Sequence, residues 1–129
     1  MKKKVLTLTI SKQWFDKIVL GVKTEEYREI KPYWVTRLYY DKFGKLSPSL
    51  VKELTNNLIK DGNVNSFEIE NNGLQVYQVP FTHVLFINGY RKDSPRIEKE
   101  IESITIGKPK KGLCPDKWLD TEFFVIKFK

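Results

Sequence analysis

Residues 21–34 read Gly-Val-Lys-Thr-Glu-Glu-Tyr-Arg-Glu-Ile-Lys-Pro-Tyr-Trp, a segment of ionisable, hydroxyl and aromatic side chains with few aliphatic ones. Burying unpaired charge is costly, so this is not an ordinary core segment. It is also too rich in tyrosine, threonine and tryptophan for a solvated linker. Because side chains alternate along a strand, residues 24–30 would turn charges inward in either orientation. The segment is therefore predicted to form the functional site.

The neighbouring sequence has regular apolar patterns. Alternation over residues 5–10 predicts a first strand, and helical spacing over residues 11–20 predicts a short helix that ends at Gly21. Residues 23–29 are predicted as a strand, and Pro32 opens a second helix. The later predicted elements are a helix from Ser47-Pro48 to Asp61-Gly62, a hairpin over 63–80 with its turn at 71–73, a central strand over 81–87, a strand from about 98 to 106 and a closing strand over 122–128, with irregular connections over 40–46 and 107–120.

The length of 129 residues is typical of one domain. An aromatic content of 13% and the absence of alanine favour β structure. Strands dominate both ends of the chain, with helices between them. The pattern predicts an α+β domain, residues 1–129, in which a small barrel closes the sheet edges.

The charge and the rare residues restrict the function. A net charge of +7 suits an anionic partner such as nucleic acid, and it also favours solubility. The single cysteine, Cys114, forms no internal disulfide and fits the reducing cytoplasm. One cysteine and one histidine, His83, leave no recognisable zinc cluster, and we expect no metal or cofactor. No apolar run approaches the roughly 18 residues of a membrane span.

Three sequence blocks resemble the ASCH domain, named for homology to an activating signal cointegrator, in a small bacterial or phage-type form. The first combines the Gly-Val-Lys-Thr that starts at Gly21, Glu-Tyr-Arg and Pro-Tyr-Trp. The second is Phe-Ile-Asn-Gly-Tyr over residues 86–90, and the third joins residues 104–107 with the closing strand. Residues 45–80 resemble a lineage-specific insertion.

This resemblance implies a PUA-like β-barrel of five to six mostly antiparallel strands, with flanking helices and the insertion as a helix plus a hairpin. It implies RNA or a nucleoside as the partner. Some small bacterial members are amidohydrolases that deacetylate cytidine acetylated on its exocyclic amine, and another is a ribonuclease.

Lys23, Glu26 and Thr24 are the catalytic candidates. Lys23 matches the catalytic lysine of the amidohydrolases, and burial against aromatics would lower its pKa for action as nucleophile or base. Those enzymes carry threonine three residues later, where this chain has Glu26, and Thr24 instead follows Lys23 directly. Glu26 is a candidate general base, or an acceptor for the amino edge of a base. The alternative is an ordinary ion pair between them.

The binding candidates combine rings, amides and cations. Tyr27 suits base stacking, or alternatively the core, and Arg28 suits phosphate contact. Residues 88–91 are predicted to form the second wall of the cleft, or a simple turn, and residues 108–111 a positive lip. The full set of binding candidates is Tyr27, Arg28, Tyr33, Asn88, Tyr90, Arg91, Lys108, Lys110 and Lys111.

Three hypotheses follow. In the first, a binding module takes RNA or a nucleoside into the cleft. In the second, the same cleft belongs to a hydrolase centred on Lys23 and Glu26. In the third, residues 45–80 dock a protein partner and the barrel is a scaffold. The first is favoured.

Overall fold

The computed structural model describes residues 2–61, 66–69 and 74–129. These residues form three α-helices and nine strands, which confirms the α+β class. The helices are α1 (Lys12–Val19), α2 (Pro32–Leu38) and α3 (Pro48–Asp61), and the strands are β1 (Val5–Thr9), β2 (Glu25–Arg28), β3 (Tyr39–Asp41), β4 (Gly44–Lys45), β5 (Ser66–Ile69), β6 (Leu74–Gln78), β7 (His83–Ile87), β8 (Arg96–Gly107) and β9 (Phe123–Phe128).

Five strands form the main sheet in the order β1-β7-β8-β9-β2. Only the β1–β7 pair is parallel, so the prediction of mostly antiparallel pairing is confirmed. β7 has a partner on each side, which confirms its central position. Within the described residues no backbone pairing joins β1 to β2 into a closed barrel. The two edges nevertheless meet through a side chain, because Arg28 on β2 donates a hydrogen bond to the carbonyl oxygen of Thr9 on β1.

The strand predicted from about residue 98 to 106 is confirmed by β8, which spans Arg96–Gly107. Its isoleucines also occur at helical spacing, but pairing with both β7 and β9 requires an extended chain. A register shift between Ile101 and Ser103 lets this long strand serve two neighbours. Such a bulge bends the strand and increases its twist.

The irregular connection predicted over residues 40–46 is wrong. β3 and β4 form a tight hairpin there, with the Asp41 carboxylate accepting a hydrogen bond of 2.8 Å from the backbone N–H of Phe43. Gly44 completes the turn at a φ of 100°, in the left-handed region that glycine tolerates. Tyr40 also pairs with Tyr77 on β6. A partner so distant in the chain leaves no local pattern.

The predicted hairpin of residues 63–80 belongs to the second sheet, which has the order β4-β3-β6-β5. Its strands β5 and β6 pair antiparallel as predicted. The predicted turn at 71–73 lies outside the described residues. β6 and α3 contribute to the same core as the main sheet: its buried members include Leu8, Phe86, Leu54, Leu58 and Val76.

The helices begin and end close to their predicted positions. α1 is followed by Gly21 at a φ of 78°, and Pro32 stands in the first turn of α2. Ser47 caps α3, because its hydroxyl accepts a hydrogen bond of 3.3 Å from the backbone N–H of Leu50. None of the three helices among the described residues is long and apolar enough to cross a membrane.

Candidate functional site

A cavity of about 350 Å³ opens between the end of β1, the strand β2 and the loop of residues 113–118. All three tryptophans of the chain line it. Trp14 comes from α1, Trp34 from α2, and Trp118 from one turn of 3₁₀ helix at Asp116–Trp118. Three separate elements thus supply three indole rings to one cavity.

Lys23, Glu26 and Arg28 form a buried charge network in this cavity. The Glu26 carboxylate lies between the two cations: Oε1 is 3.4 Å from Lys23 Nζ, and Oε2 is 2.7 Å from Arg28 Nη2. The Lys23 side chain is only 1% exposed, and those of Glu26 and Arg28 are 10% and 19% exposed. One carboxylate therefore lies between a buried lysine and a half-buried arginine.

Lys23 is held by polar and aromatic contacts. Its Nζ donates a short hydrogen bond to the carbonyl oxygen of Leu113. The same atom lies 5.3 Å from the ring centre of Trp14 and 4.9 Å from that of Tyr27, within cation–π range. Burial lowers the pKa of Lys23 below its ordinary value, and the nearby Glu26 acts in the opposite direction. Lys23 thus combines the predicted ion pair with the depressed pKa that general-base chemistry needs.

Arg28 carries an unpaired donor. Its Nη2 donates to Glu26 and, at 2.9 Å, to the carbonyl oxygen of Thr9, and its Cζ lies 5.2 Å from the ring centre of Trp34. Its Nε is buried and has no acceptor among the described residues. A buried donor without a partner is unfavourable, and an acceptor brought by a guest would remove that cost.

Tyr27 forms part of the cavity wall. It is 2% exposed and packs with Leu113 and Phe123. Its hydroxyl donates to Glu25 at 2.8 Å and accepts from the backbone N–H of Lys110 at 3.1 Å. Burial, with Glu25 as a further cause, raises the pKa of Tyr27. Tyr27 is therefore a buried core aromatic, which agrees with the alternative interpretation of this residue.

The opposite wall comes from a segment that sequence reasoning did not assign to the site. Leu113, Cys114, Pro115 and Trp118 line the cavity. The Cys114 thiol donates to the carbonyl oxygen of Pro115 at 3.4 Å, and burial raises its pKa. No periodic pattern marks this loop in the sequence. The one feature that could have indicated it is Trp118, a large aromatic residue in a polar, irregular segment.

Several predicted residues lie elsewhere. Thr24 is exposed and does not line the cavity. Residues 88–91, predicted as the second wall, do not line it either: Asn88 Nδ2 instead donates to the carbonyl oxygen of Ile10 at 2.9 Å, and Tyr90 is 94% exposed. Arg91 is exposed at the same turn. This wall is absent because Asn88 is used to fasten β7 to the end of β1.

The three predicted lysines of the basic loop and Tyr33 do not line the tryptophan cavity. Lys108 lines a neighbouring cavity of about 810 Å³, which shares Glu29, Trp118 and Phe123 with the tryptophan cavity. Lys111 is exposed. Lys110 Nζ lies 3.5 Å from Glu25 Oε2, so it forms an ion pair with the strand behind the tryptophan cavity. Tyr33, predicted as the rim, is 59% exposed and lines a third cavity.

The described residues contain no group of three His, Cys, Asp or Glu side chains placed to hold a metal ion. His83 does not line the tryptophan cavity, and its Nδ1 lies 2.8 Å from Thr82 Oγ1. The cavity therefore offers three indole rings, one lysine, one guanidinium and two carboxylates, those of Glu26 and Glu29. No protein-family model matches this chain, and no curated protein or solved structure is significantly similar to it.

Proposed function

We propose that the protein binds a nucleobase in the tryptophan cavity, either as a nucleoside or as part of RNA. The observation that carries the proposal is the buried Lys23–Glu26–Arg28 network inside a cavity lined by three indole rings. The volume of about 350 Å³ lies in the range of small-molecule sites, roughly 300–1,000 Å³.

A base has the two properties that this lining would recognise. Its flat faces stack on aromatic rings, and its edges carry donors and acceptors in fixed positions. The Glu26 carboxylate accepts from an exocyclic amino group, while the unpaired Arg28 Nε donates to a ring or carbonyl acceptor. Cytosine and adenine present an amino donor beside a ring acceptor, so these two bases fit best.

The fold is proposed to be an ASCH-type, PUA-like barrel in the cytoplasm. Support comes from the three sequence blocks, and from the Arg28–Thr9 hydrogen bond of 2.9 Å that brings the two edges of the sheet together. The reduced Cys114 suits a cytoplasmic location. In such a barrel the closing edge and the binding cavity share one arginine.

Tryptophan fluorescence tests the binding proposal directly, because all three tryptophans of the chain line the cavity. Titration with the four ribonucleosides should give saturable quenching, strongest for cytidine or adenosine. Arg28→Met and Trp118→Ala should each weaken binding about 10-fold, given ~1–3 kcal/mol per stacked base. The control is Arg96→Met, on the exposed face of β8.

Trp118 is half-buried and its ring stacks on Phe123 at 5.0 Å, so circular dichroism must show that Trp118→Ala keeps the fold before its affinity is compared with wild type. Linear, unsaturable quenching both by every nucleoside and by a short mixed-sequence RNA would refute the proposal. So would equal affinities for wild type, Trp118→Ala and Arg96→Met.

A second candidate is hydrolysis in the same cavity, favoured by the lowered pKa of the buried Lys23. On acetylated cytidine, water oxygen bonds to the acetyl carbon, the carbon–nitrogen bond breaks and the amine takes a proton, which gives cytidine and acetate. Neutral Lys23 or Glu26 would accept the proton of the attacking water. A ribonuclease would use the same pair on an RNA phosphodiester.

Mass spectrometry of reactions with N4-acetylcytidine and small RNAs separates the two candidates. Catalysis predicts products with wild type and at least 100-fold slower formation with Lys23→Met. Unchanged substrates, together with saturable nucleoside binding, assign the protein to binding alone.

A further inference from the structure

A second concave surface, which we call the α2–α3 groove, lies beside the tryptophan cavity. Its volume is about 1,130 Å³, and its lining includes Tyr33, Arg37, Lys45 and Lys52. All four of these side chains are exposed, and Tyr33 is 59% exposed. The lining contains three cations and no carboxylate. An anionic ligand with flat groups complements such a surface.

Trp34 connects this groove to the tryptophan cavity. The ring centre of Trp34 is 5.2 Å from Arg28 Cζ, inside the cavity, and 5.8 Å from Arg37 Cζ, in the groove. The Tyr33 ring meets the Trp34 ring edge-on at 4.9 Å, and Arg37 lies 4.8 Å from the Tyr33 ring centre. The two surfaces are thus separated by a single indole side chain. Neighbouring nucleotides of one strand can span that separation.

We propose that the ligand is a single-stranded RNA segment, with one base in the tryptophan cavity and the adjoining nucleotides in the α2–α3 groove. This inference rests on the proposed function and narrows its ligand from a nucleoside or RNA to a single-stranded RNA that also occupies the groove. A base stacks on the exposed face of Tyr33, while Arg37, Lys45 and Lys52 contact phosphates.

The groove favours a nucleic acid over an acidic peptide. Three cations alone would suit either polyanion. The exposed tyrosine, however, lies next to a cavity whose three indoles and unpaired guanidinium donor suit a base. A polynucleotide supplies stackable bases and regularly spaced phosphates in the same molecule, which is the combination that single-strand sites use.

The test compares a free nucleoside with a mixed-sequence RNA of about eight nucleotides, within the size range of single-strand sites. Wild type should bind the RNA at least 10-fold more tightly than any nucleoside. Tyr33→Ala and the double variant Lys45→Ala/Lys52→Ala should each weaken RNA binding about 10-fold and leave nucleoside affinity unchanged. The double variant should also reduce the slope of log affinity against log salt by about 1.4. The matched control is Lys2→Ala/Lys92→Ala, which removes two exposed lysines outside the groove.

The outcomes separate this inference from the proposed function. Nucleoside binding without any gain for RNA, or groove variants that bind RNA as the control does, would overturn the inference alone. Failure of both the nucleosides and the RNA to bind, or RNA binding that Trp118→Ala leaves unchanged, would overturn the proposed function. An oligoglutamate peptide that binds as tightly as RNA and is lost in the same variants would overturn the choice of nucleic acid.

Discussion

The guanidinium of Arg28, on β2, donates a hydrogen bond of 2.9 Å to the carbonyl oxygen of Thr9, at the end of β1. β1 and β2 are the opposite edges of the five-stranded sheet. The same Nη2 atom binds the Glu26 carboxylate at 2.7 Å. The side-chain link between the two sheet edges and the charge network of the cavity therefore depend on one arginine.

Replacement of Arg28 by methionine should lower the free energy of unfolding by ~1.5–3 kcal/mol, the usual worth of hydrogen bonds to charged groups. Methionine keeps the apolar part of the side chain and removes the hydrogen bonds to Thr9 and Glu26. Urea denaturation measures the change. Arg96→Met removes an equally long, exposed side chain that donates to the carbonyl oxygens of Ser94 and Lys92, and it should cost less than about 1 kcal/mol because water can replace these hydrogen bonds. Equal effects of both substitutions would contradict the bridging role.

Glu26 should matter more to stability than Lys23. Glu26→Gln leaves Lys23 and Arg28 buried without their shared counter-charge, which should cost ~3–5 kcal/mol. Lys23→Met should cost less, because Glu26 keeps its ion pair with Arg28. Urea denaturation of both variants at neutral pH tests the order, and a reversed order would refute the shared-carboxylate description.

Tyr27→Phe should be less stable than wild type by ~1–3 kcal/mol at neutral pH, because buried Glu25 loses its hydroxyl donor. The difference should narrow as pH rises above 10. There the unfolded phenol, with its ordinary pKa of 10.0, ionises, whereas burial keeps the folded Tyr27 protonated. Above pH 10 the unfolded state therefore binds fewer protons than the folded state, and the unfolding free energy of wild type falls with pH. Tyr27→Phe lacks this phenol, so its unfolding free energy does not fall for this reason.

Unfolding free energies of the two proteins, measured from neutral to alkaline pH, give this difference directly. Tyr39 and Cys114, whose pKa values are also raised by burial, are present in both proteins and cancel. A difference that widens with pH would show that the Tyr27 phenol ionises more readily when folded.

The segment of residues 45–80 should prove inseparable from the rest of the domain. Leu54 on α3 is fully buried in the same core as Leu8 and Phe86. Leu54→Ala should therefore cost ~2–5 kcal/mol in urea denaturation. Ile59, on the same helix but 59% exposed, provides the control and should change stability little on replacement by alanine. Similar effects at both positions would favour an independent, loosely attached insertion.

The strand and helix predictions succeeded where a local pattern was strong. Alternation indicated β1, apolar continuity indicated that β7 is an interior strand, and Ser47-Pro48 indicated the start of α3. The hairpin β3–β4 was missed because its strands are short and are held by β6, far away in the chain. Pairing across long separations overrides weak local preference.

The candidate site was predicted in part. Its polar half, Lys23, Glu26 and Arg28, stood out because charges at alternate faces of a strand must find partners. Its other half was missed: Trp118 and Cys114 reach the cavity through an irregular loop, and Asn88 turned out to fasten the end of β1. The hydrogen bond between Lys23 and Leu113 joins residues that are 90 positions apart in the chain. No local sequence pattern predicts a contact between such distant residues.

The amino-acid sequence by itself determined the α+β class, most element boundaries and the charged strand β2, because periodicity, capping and turn residues act over a few neighbouring positions. The tertiary structure decided that three tryptophans line one cavity beside that strand, that one carboxylate lies between a lysine and an arginine, and that a cationic groove adjoins the cavity across Trp34. These relationships join residues far apart in the chain, so they exist only once the core has brought their elements together.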